Sequence, residues 1–307
     1  MIWAVAHDVS VLESALVATP ARRSDNRGLR PRAGSSAKAL LLTVLGEFVL
    51  PHEGVVWTST VVRGLAALGV EERNARQAVA RLAEQGVVAS EKIGRRARWR
   101  LTEQGRELLT TGTERIYRFG ERDDGWDGLW SIVLCSVPEE QRARRHQLRA
   151  QLGFAGYGFL APGVAASPHV EREPIANAVL RSLDLVPGAI VLRAETGDIV
   201  DDPELLRRAW DLDELAGAYE SFIDRFERRR PGNDAERFVA VTELVHAWRQ
   251  FPFIDPEMPS RLLPSGWPGH RAKRLFDTRH RRWTSGADRW YLALDTDGTL
   301  YRSATGR

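Results

Sequence analysis

A chain of 307 residues with 43% hydrophobic and 28% charged residues can build two or three packed domains and is too apolar to stay disordered. Its net charge of +3 assigns no polyanionic partner by itself, so what matters is where the arginines stand. No apolar run reaches the ~18–20 residues of a membrane span, and Met1-Ile2-Trp3-Ala4-Val5-Ala6 lacks the basic and long apolar regions of a secretion signal. The single cysteine, Cys135, excludes an internal disulfide and a cysteine-rich metal site, which predicts a reducing compartment, the cytoplasm.

Residues 1–35 hold Pro20, Arg22-Arg23-Ser24-Asp25-Asn26-Arg27-Gly28 and Pro31-Arg32-Ala33-Gly34, linker chemistry with little to bury. They are expected to be a mobile extension, or the product of a start codon placed too early. The first folded signal is Leu40, Leu41, Val44, Leu45, Phe48 and Val49, an apolar stripe at helical spacing that stops at Pro51. Trp57-Thr58-Ser59-Thr60 offers hydroxyls to cap a second helix, running through Val61 and Leu65 to Gly69. A third opens at Glu71-Glu72, carries Ala75, Ala78, Val79 and Leu82 on one face and ends at Gly86. Two short helices joined at a glycine make a helix-turn-helix. Val87-Val88 to Ile93 and Ala97 to Leu101 then read as paired strands around a tip at Gly94-Arg95-Arg96. From Lys92 to Arg100 there are five basic residues and no acid. Such charges can merely keep an edge strand from pairing. Directly after a helix-turn-helix, a basic hairpin is better read as the wing of a winged helix, lying on phosphates.

With Ala75, Ala78, Val79 and Leu82 inward, 100° per residue puts Arg73, Gln77, Ala80 and Glu84 outward. Arg76 and Arg81 flank that face, with Asn74 on the Arg81 side. Arginine and glutamine can bond guanine and adenine edges bidentately, alanine can touch a thymine methyl, and flanking arginines suit phosphates. Any amphipathic helix has a polar outer face, so the wheel locates candidates and does not prove contacts. The DNA-contact candidates are Thr58, Ser59, Arg73, Asn74, Arg76, Gln77, Arg81, Arg95, Arg96 and Arg98.

Further along, Leu129 to Cys135 predicts a strand, and Pro138-Glu139-Glu140 opens a helix through Leu148 and Leu152. Phe154 to Ala161 and Val164 to Ser167 predict a hairpin around Pro162-Gly163. Pro174 to Leu185 predicts a helix, and Ile190-Val191-Leu192 a last strand. The order βαββαβ is that of a ferredoxin-like sandwich. The C-terminal third reads as mainly helical. Leu205 to Phe226 covers two amphipathic helices, Phe238 to Trp248 another, Pro252 to Pro268 a broken loop, and Ala272 to Phe276 a further helix. Trp290 to Leu294 and Leu300-Tyr301 are expected to be strands flanking an Asp295-Thr296-Asp297-Gly298 turn.

The ordered set Leu40–Leu50, Trp57-Thr58, Glu72-x-x-Ala75-Arg76-Gln77-Ala78-x-x-Arg81-Leu82, Leu101-Thr102-Glu103-x-Gly105 and Glu114-Arg115-Ile116-Tyr117 resembles the start of PaaX-type repressors of phenylacetic acid catabolism. The likeness continues through His246-Ala247-Trp248-Arg249, Phe253-x-Asp255-Pro256, Leu262-Leu263-Pro264 and Trp267-Pro268-Gly269, so it spans about residues 36–300. The resemblance implies an α+β multidomain repressor, not an enzyme: an N-terminal winged helix (36–118), a ferredoxin-like dimerisation domain (119–200) and a mainly helical C-terminal domain (201–307). It implies a homodimer on a double-stranded operator, released by an acyl-CoA thioester such as phenylacetyl-CoA. His246, Trp248, Arg249, Trp267, His270 and Arg274 lie in the most distinctive segment. They are candidates for holding that effector, because cations suit its phosphates and aromatics an aryl group. A plain arginine–tryptophan packing network is the competing reading.

Similar central domains also occur in small metal-dependent nucleases, the main alternative function. Such an enzyme needs a carboxylate near the end of the first strand for a hard divalent cation. Here that stretch is Leu134-Cys135-Ser136-Val137. Cys135 on an apolar strand reads as a core residue. His246 and His270 stand too far apart to indicate zinc, and the chain has no Walker loop, dinucleotide fingerprint or Gly-x-Ser-x-Gly elbow. No cofactor, metal or catalytic residue is expected.

Overall fold

The computed structural model describes residues 36–121 and 125–294; the N-terminal extension and the Asp295–Gly298 turn lie outside them. The described chain is a mixed α+β protein with two small sheets, and it divides into two compact units. One comprises residues 36–117, Phe226–Gln250 and 274–294, and the other Arg118–Arg225 and Phe251–Lys273. The C-terminal third thus contributes to both. No helix among the described residues is long and apolar enough to cross a membrane.

In the first unit, Ser36 caps α1 (Ala37–Val44) by accepting from the Ala39 amide at 3.2 Å. The helix continues into a π-turn, Leu45–Val49, and breaks before Pro51, which cannot donate to a helical carbonyl. Strand β1 (Val55–Trp57) leads into α2 (Thr58–Ala67), and α3 (Glu72–Glu84) follows a turn at Gly69, whose φ of +79° suits glycine. The residues that α3 buries are Ala75, Ala78, Val79 and Leu82, the stripe expected from the sequence. Strands β2 (Val88–Ile93) and β3 (Arg96–Leu101) form a hairpin, and β1 pairs with the other edge of β3.

The hairpin is tighter than expected. Ile93 pairs with Arg96, leaving only Gly94 and Arg95 in the turn. Gly94 takes φ +59°, as the first position of a type II′ turn requires. After β3, Thr102 opens α4 (Glu103–Arg118): its hydroxyl accepts from the Gly105 amide at 2.9 Å and donates to the Gly86 carbonyl. Gly105 is obligatory there, since a Cβ would stand 2.0 Å from the Val87 carbonyl oxygen.

Helices α1 to α3 do not close their own core. Phe48 of the π-turn lies 4.9 Å from the ring of Phe238 and 5.1 Å from that of Tyr291. These rings come from α9 (Asp234–Trp248) and α11 (Pro268–Ala293), about 190 and 240 residues further along the chain. Both are almost fully buried, and burial of the Phe238 ring is worth roughly 1.5–3 kcal/mol of transfer free energy. Gly64 of α2 lets the Phe238 ring approach to 3.5 Å of its ideal Cβ position.

In the second unit, β4 (Trp130–Cys135), α5 (Arg142–Phe154), β5 (Gly158–Ala161), β6 (Val164–Ser167), α6 (Glu173–Ser182) and β7 (Ala189–Ala194) follow the expected βαββαβ order. The sheet is antiparallel throughout, in the order β5-β6-β4-β7. Val133 and Cys135 face Leu148, Leu152, Ala176 and Leu180 of the two helices. Burial raises the Cys135 thiol pKa, so it is a core side chain, as expected. Helix α7 (Asp202–Ala209) is tied to the sheet by Trp130 Nε1 donating to Asp202 at 2.8 Å. Tyr219 of α8 (Leu212–Glu227) stacks on Phe251 of α10 (Phe251–Ile254) at 4.2 Å and donates to Asp255 at 2.6 Å.

Several boundaries differ from the expectation. The segment after Pro138 begins as a 3-10 turn, Glu139–Gln141, and becomes α-helical only at Arg142. Phe154 ends α5, and the strand after it starts at Gly158. Trp290 to Ala293 is not a strand but the last turn of α11. Its aromatic content resembles a strand locally, yet Ala287 and Tyr291, four apart, are both buried on one helical face.

Candidate nucleic-acid interface

Helix α3 presents Arg73, Asn74, Arg76, Gln77, Ala80 and Arg81 to solvent, all exposed. Amphipathic folding dictates this: four apolar residues take the buried stripe, and nothing else among the described residues covers the remainder. Arg76 is partly committed, donating through Nε and Nη2 to Glu72 Oε1 at 2.9 and 2.7 Å. Exposed i,i+4 pairs of this kind are weak, about 0.3–0.5 kcal/mol, so Arg76 can be drawn to a phosphate. Lys38 on α1 is a basic group the sequence reading missed, hidden there among apolar neighbours. Partial burial lowers its pKa, and the nearby Arg81 lowers it further.

In the hairpin, Arg95 and Arg96 are exposed at the tip, and the Arg96 guanidinium stands 5.9 Å from the Trp57 ring centre. Arg98 and Arg100 are another matter. Both donate through Nε to Glu91, at 2.6 Å each, across the β2–β3 register that sets Glu91 opposite Arg98. Glu91 lies one residue before the acid-free window, so the basic face is smaller than the sequence implied. Hydrogen bonds from Arg100 and Arg98 hold the Glu91 carboxyl below the ordinary range.

The hydroxyls at the start of α2 do not cap it. Trp57 occupies the cap position, and no side chain bonds there. The Thr58 hydroxyl instead donates to the Ala97 carbonyl and accepts from Trp99 Nε1, both at 2.9 Å. Its one proton is spent on β3, so it has none for a phosphate; its task is to lock α2 to the hairpin. Ser59, next to it, is exposed.

The six C-terminal candidates fall apart into two groups. In the first unit, Trp248 is fully buried, stacks on Phe276 at 4.9 Å and donates to the Ile116 carbonyl at 3.2 Å. His246 Nδ1 lies 3.2 Å from the Thr43 hydroxyl, and Arg274 is exposed. Arg249 is buried, with 5% of its surface exposed, and burial brings its pKa down to about 10. In the second unit, Trp267 is buried edge-on to Tyr219, and His270 lies 3.0 Å from the Ser260 hydroxyl at the surface. No group of three or more potential metal ligands occurs among the described residues.

Three segments of the chain match models of one family. Residues 36–105 match the PaaX-like protein model, 123–206 the PaaX protein central Cas2-like domain, and 210–293 the PaaX-like protein C-terminal domain. The transcriptional repressor PaaX of Escherichia coli (strain K12) is 28% identical over 251 residues, 78% of each chain. The solved structure of the uncharacterized protein Rv0674 from Mycobacterium tuberculosis superposes with a TM-score of 0.57 at 20% identity. It covers 83% of this chain and 98% of its own, a likeness of fold. With its three segments matched in order, the chain belongs to the PaaX-like protein family.

Proposed function

We propose that this protein is a sequence-specific, DNA-binding transcriptional repressor of a catabolic operon. The observation that carries the reading is the pairing, within one compact unit, of the exposed face of α3 with the basic tip of the β2–β3 hairpin. We read α1 to α3 and the hairpin as a winged helix-turn-helix, with α3 as recognition helix. Arg73, Asn74, Gln77 and Ala80 would meet base edges, while Arg76, Arg81, Ser59, Arg95 and Arg96 would lie on phosphates. The similarity to the E. coli repressor supports the same activity. A nuclease is not favoured: the end of β4 offers no carboxylate, and Glu139, which follows, is bonded to Arg145 at 2.7 Å.

The antiparallel order β5-β6-β4-β7 supports a ferredoxin-like central domain, through which we propose a homodimer. Ile190, 61% exposed, and Leu192 line the free edge strand β7 and share one sheet face with Leu134 and Ile132. That face is opposite α5 and α6; the end of α7 covers it at Gly158, and a second copy could cover the part at β7. A dimer would present two α3 helices to half-sites about one turn of DNA, ~34–36 Å, apart. Release by an acyl-CoA thioester, phenylacetyl-CoA or a relative, completes the reading. Such a ligand must bind the non-DNA-binding arrangement more tightly, and we place it with the C-terminal candidates.

The test is to sequence DNA fragments captured by the full-length protein, then titrate it with the recovered site and a scrambled copy. A specific repressor should prefer its site by roughly 10³-fold or more; equal affinities sink the proposal. Phenylacetyl-CoA should then weaken DNA binding, and DNA should weaken thioester binding by the same factor.

A further inference from the structure

Besides Cys135 and three tyrosines, four ionisable side chains are buried among the described residues: His169, Arg249, Asp255 and Arg279. Three have visible partners. His169 Nε2 meets the Glu257 carbonyl at 2.9 Å. Asp255 accepts from Tyr219 at 2.6 Å and from the Glu257 amide at 2.7 Å. Arg279 donates through Nη2 to the Glu227 carbonyl at 2.5 Å, although its Nε has no acceptor. Arg249 differs from all three. No hydrogen bond, ion pair or ring contact engages its guanidinium among the described residues. It closes α9, where its own amide donates to Val245 at 2.9 Å. The carbonyls at that helix end are the acceptors nearest in sequence, and its side chain bonds none of them.

A buried cation with no counter-charge is among the costliest groups a protein can hold. Packing by itself does not call for a charged group there. Trp248 seals that end of α9 against Phe276, and an apolar side chain of similar length would fill the volume that the arginine stem fills. What an arginine adds is a planar fork of donors matched to an oxyanion. The 5% of its surface that remains open leaves it a route to solvent.

We propose that Arg249 is the receptor for the oxyanion of a small organic ligand, a carboxylate or a phosphate ester, whose charge it neutralises on binding. This rests on the effector-responsive reading above and deepens it. Among the six C-terminal candidates, Trp248, His246, Trp267 and His270 are engaged within the protein, and Arg274 is a solvated cation. Arg249 alone combines burial with an uncommitted charge. The ligand-free protein therefore carries a destabilising charge, and the anion relieves it.

The experiment compares the full-length wild type with Arg249→Met and Arg249→Lys by thermal melting and by calorimetric titration. The probes are phenylacetate, free coenzyme A and phenylacetyl-CoA. Removing an unpaired buried charge should raise the melting temperature of ligand-free Arg249→Met by about 2–4 °C or more. The same substitution should weaken the bound probe by about 30-fold or more, with Arg249→Lys between the two. Binding of phenylacetate marks a carboxylate ligand; binding of coenzyme A and its thioester marks a phosphate. If the wild type binds a probe and Arg249→Met binds it equally well, Arg249 is not the receptor, although the effector reading survives. If phenylacetate alone binds, through Arg249, the receptor stands and the thioester reading fails. Arg249→Met melting below the wild type would make Arg249 a structural cation, and a wild type that binds none of the probes overturns both.

Discussion

Helices α3 and α9 are alike in length, at 13 and 15 residues, and both carry arginine in motifs shared with the family. They use it in opposite ways. Helix α3 buries four residues on one stripe and leaves Arg73, Arg76 and Arg81 in water. Helix α9 buries Phe238, Ala240, Val241, Thr242, Leu244, Val245 and Trp248, which cover more than half of its circumference, and it ends on a buried arginine. A helix apolar on one stripe is a surface helix, and the wider its buried arc, the more of it belongs to the core. The motif on α3 is therefore free to meet a partner, while most of the motif on α9 holds the first unit together. Motif membership alone does not separate these roles, and burial does.

The contrast breaks most sharply if α9 can be loosened without harm to α3. Phe238→Ala removes a buried ring that rests on Phe48, and should cost about 3–5 kcal/mol by denaturant titration. Because Phe48 belongs to the helices that carry α3, DNA binding should be lost in parallel with stability. A variant with full DNA affinity and lowered stability would show that the two helices are independent. For the same reason, a fragment ending at residue 118 should be poorly folded, with Phe48 uncovered.

The next effect lies on α3 itself. Gln77→Ala should leave the melting temperature unchanged, since Gln77 is exposed, and cost roughly 1–3 kcal/mol at one base pair of the operator. Selection of binding sites from random DNA reads this directly, and recovery of an unaltered site would take Gln77 out of the readout. The hairpin should behave differently. Replacing Arg95, Arg96 and Arg98 together with Ala should weaken binding to every sequence, and the slope of log K against log salt should become shallower by about 2–3 units. The Arg98 share should be the smallest, because Glu91 already holds that side chain.

The smallest expected effect sharpens this last point. Glu91→Gln frees Arg98 and Arg100 and should tighten DNA binding modestly, steepening the salt slope by up to about 0.9 per released arginine. The pH dependence has a fixed sign. Glu91 has a folded pKa depressed by Arg100 and Arg98, so its contribution to stability is present above the ordinary glutamate value and lost as pH falls through the folded one. Between those two values the wild type should lose stability on acidification more steeply than Glu91→Gln, measured by melting at stepped pH. Parallel curves would mean the pairing is absent in solution.

Much of this was legible in the chain itself. Period decided the helices: the buried set of α3 is the stripe seen at 100° per residue, and the βαββαβ order follows from turn residues such as Pro162-Gly163. Local signals failed where two structures fit the same few residues. Trp290 to Ala293 has the aromatic content of a strand and the spacing of a helix, and only its packing within the first unit chose the helix. Thr58 has the chemistry of a helix cap, yet a tryptophan and a carbonyl on β3 claimed its hydroxyl.

What sequence alone determined is therefore whatever depends on neighbours a few residues away: periodicity, turns, and the identity of the exposed face of α3. What only the tertiary structure decided depends on groups far apart in the chain. Glu91 takes up Arg98 and Arg100 because antiparallel pairing brings opposite strands within reach. Phe238 and Tyr291 complete the core around Phe48 from about 190 and 240 residues away. Arg249 is buried with no partner for its guanidinium among the described residues. The charge of an arginine is written in the sequence, but whether water, a carboxylate or nothing surrounds it is set by the packing of distant segments.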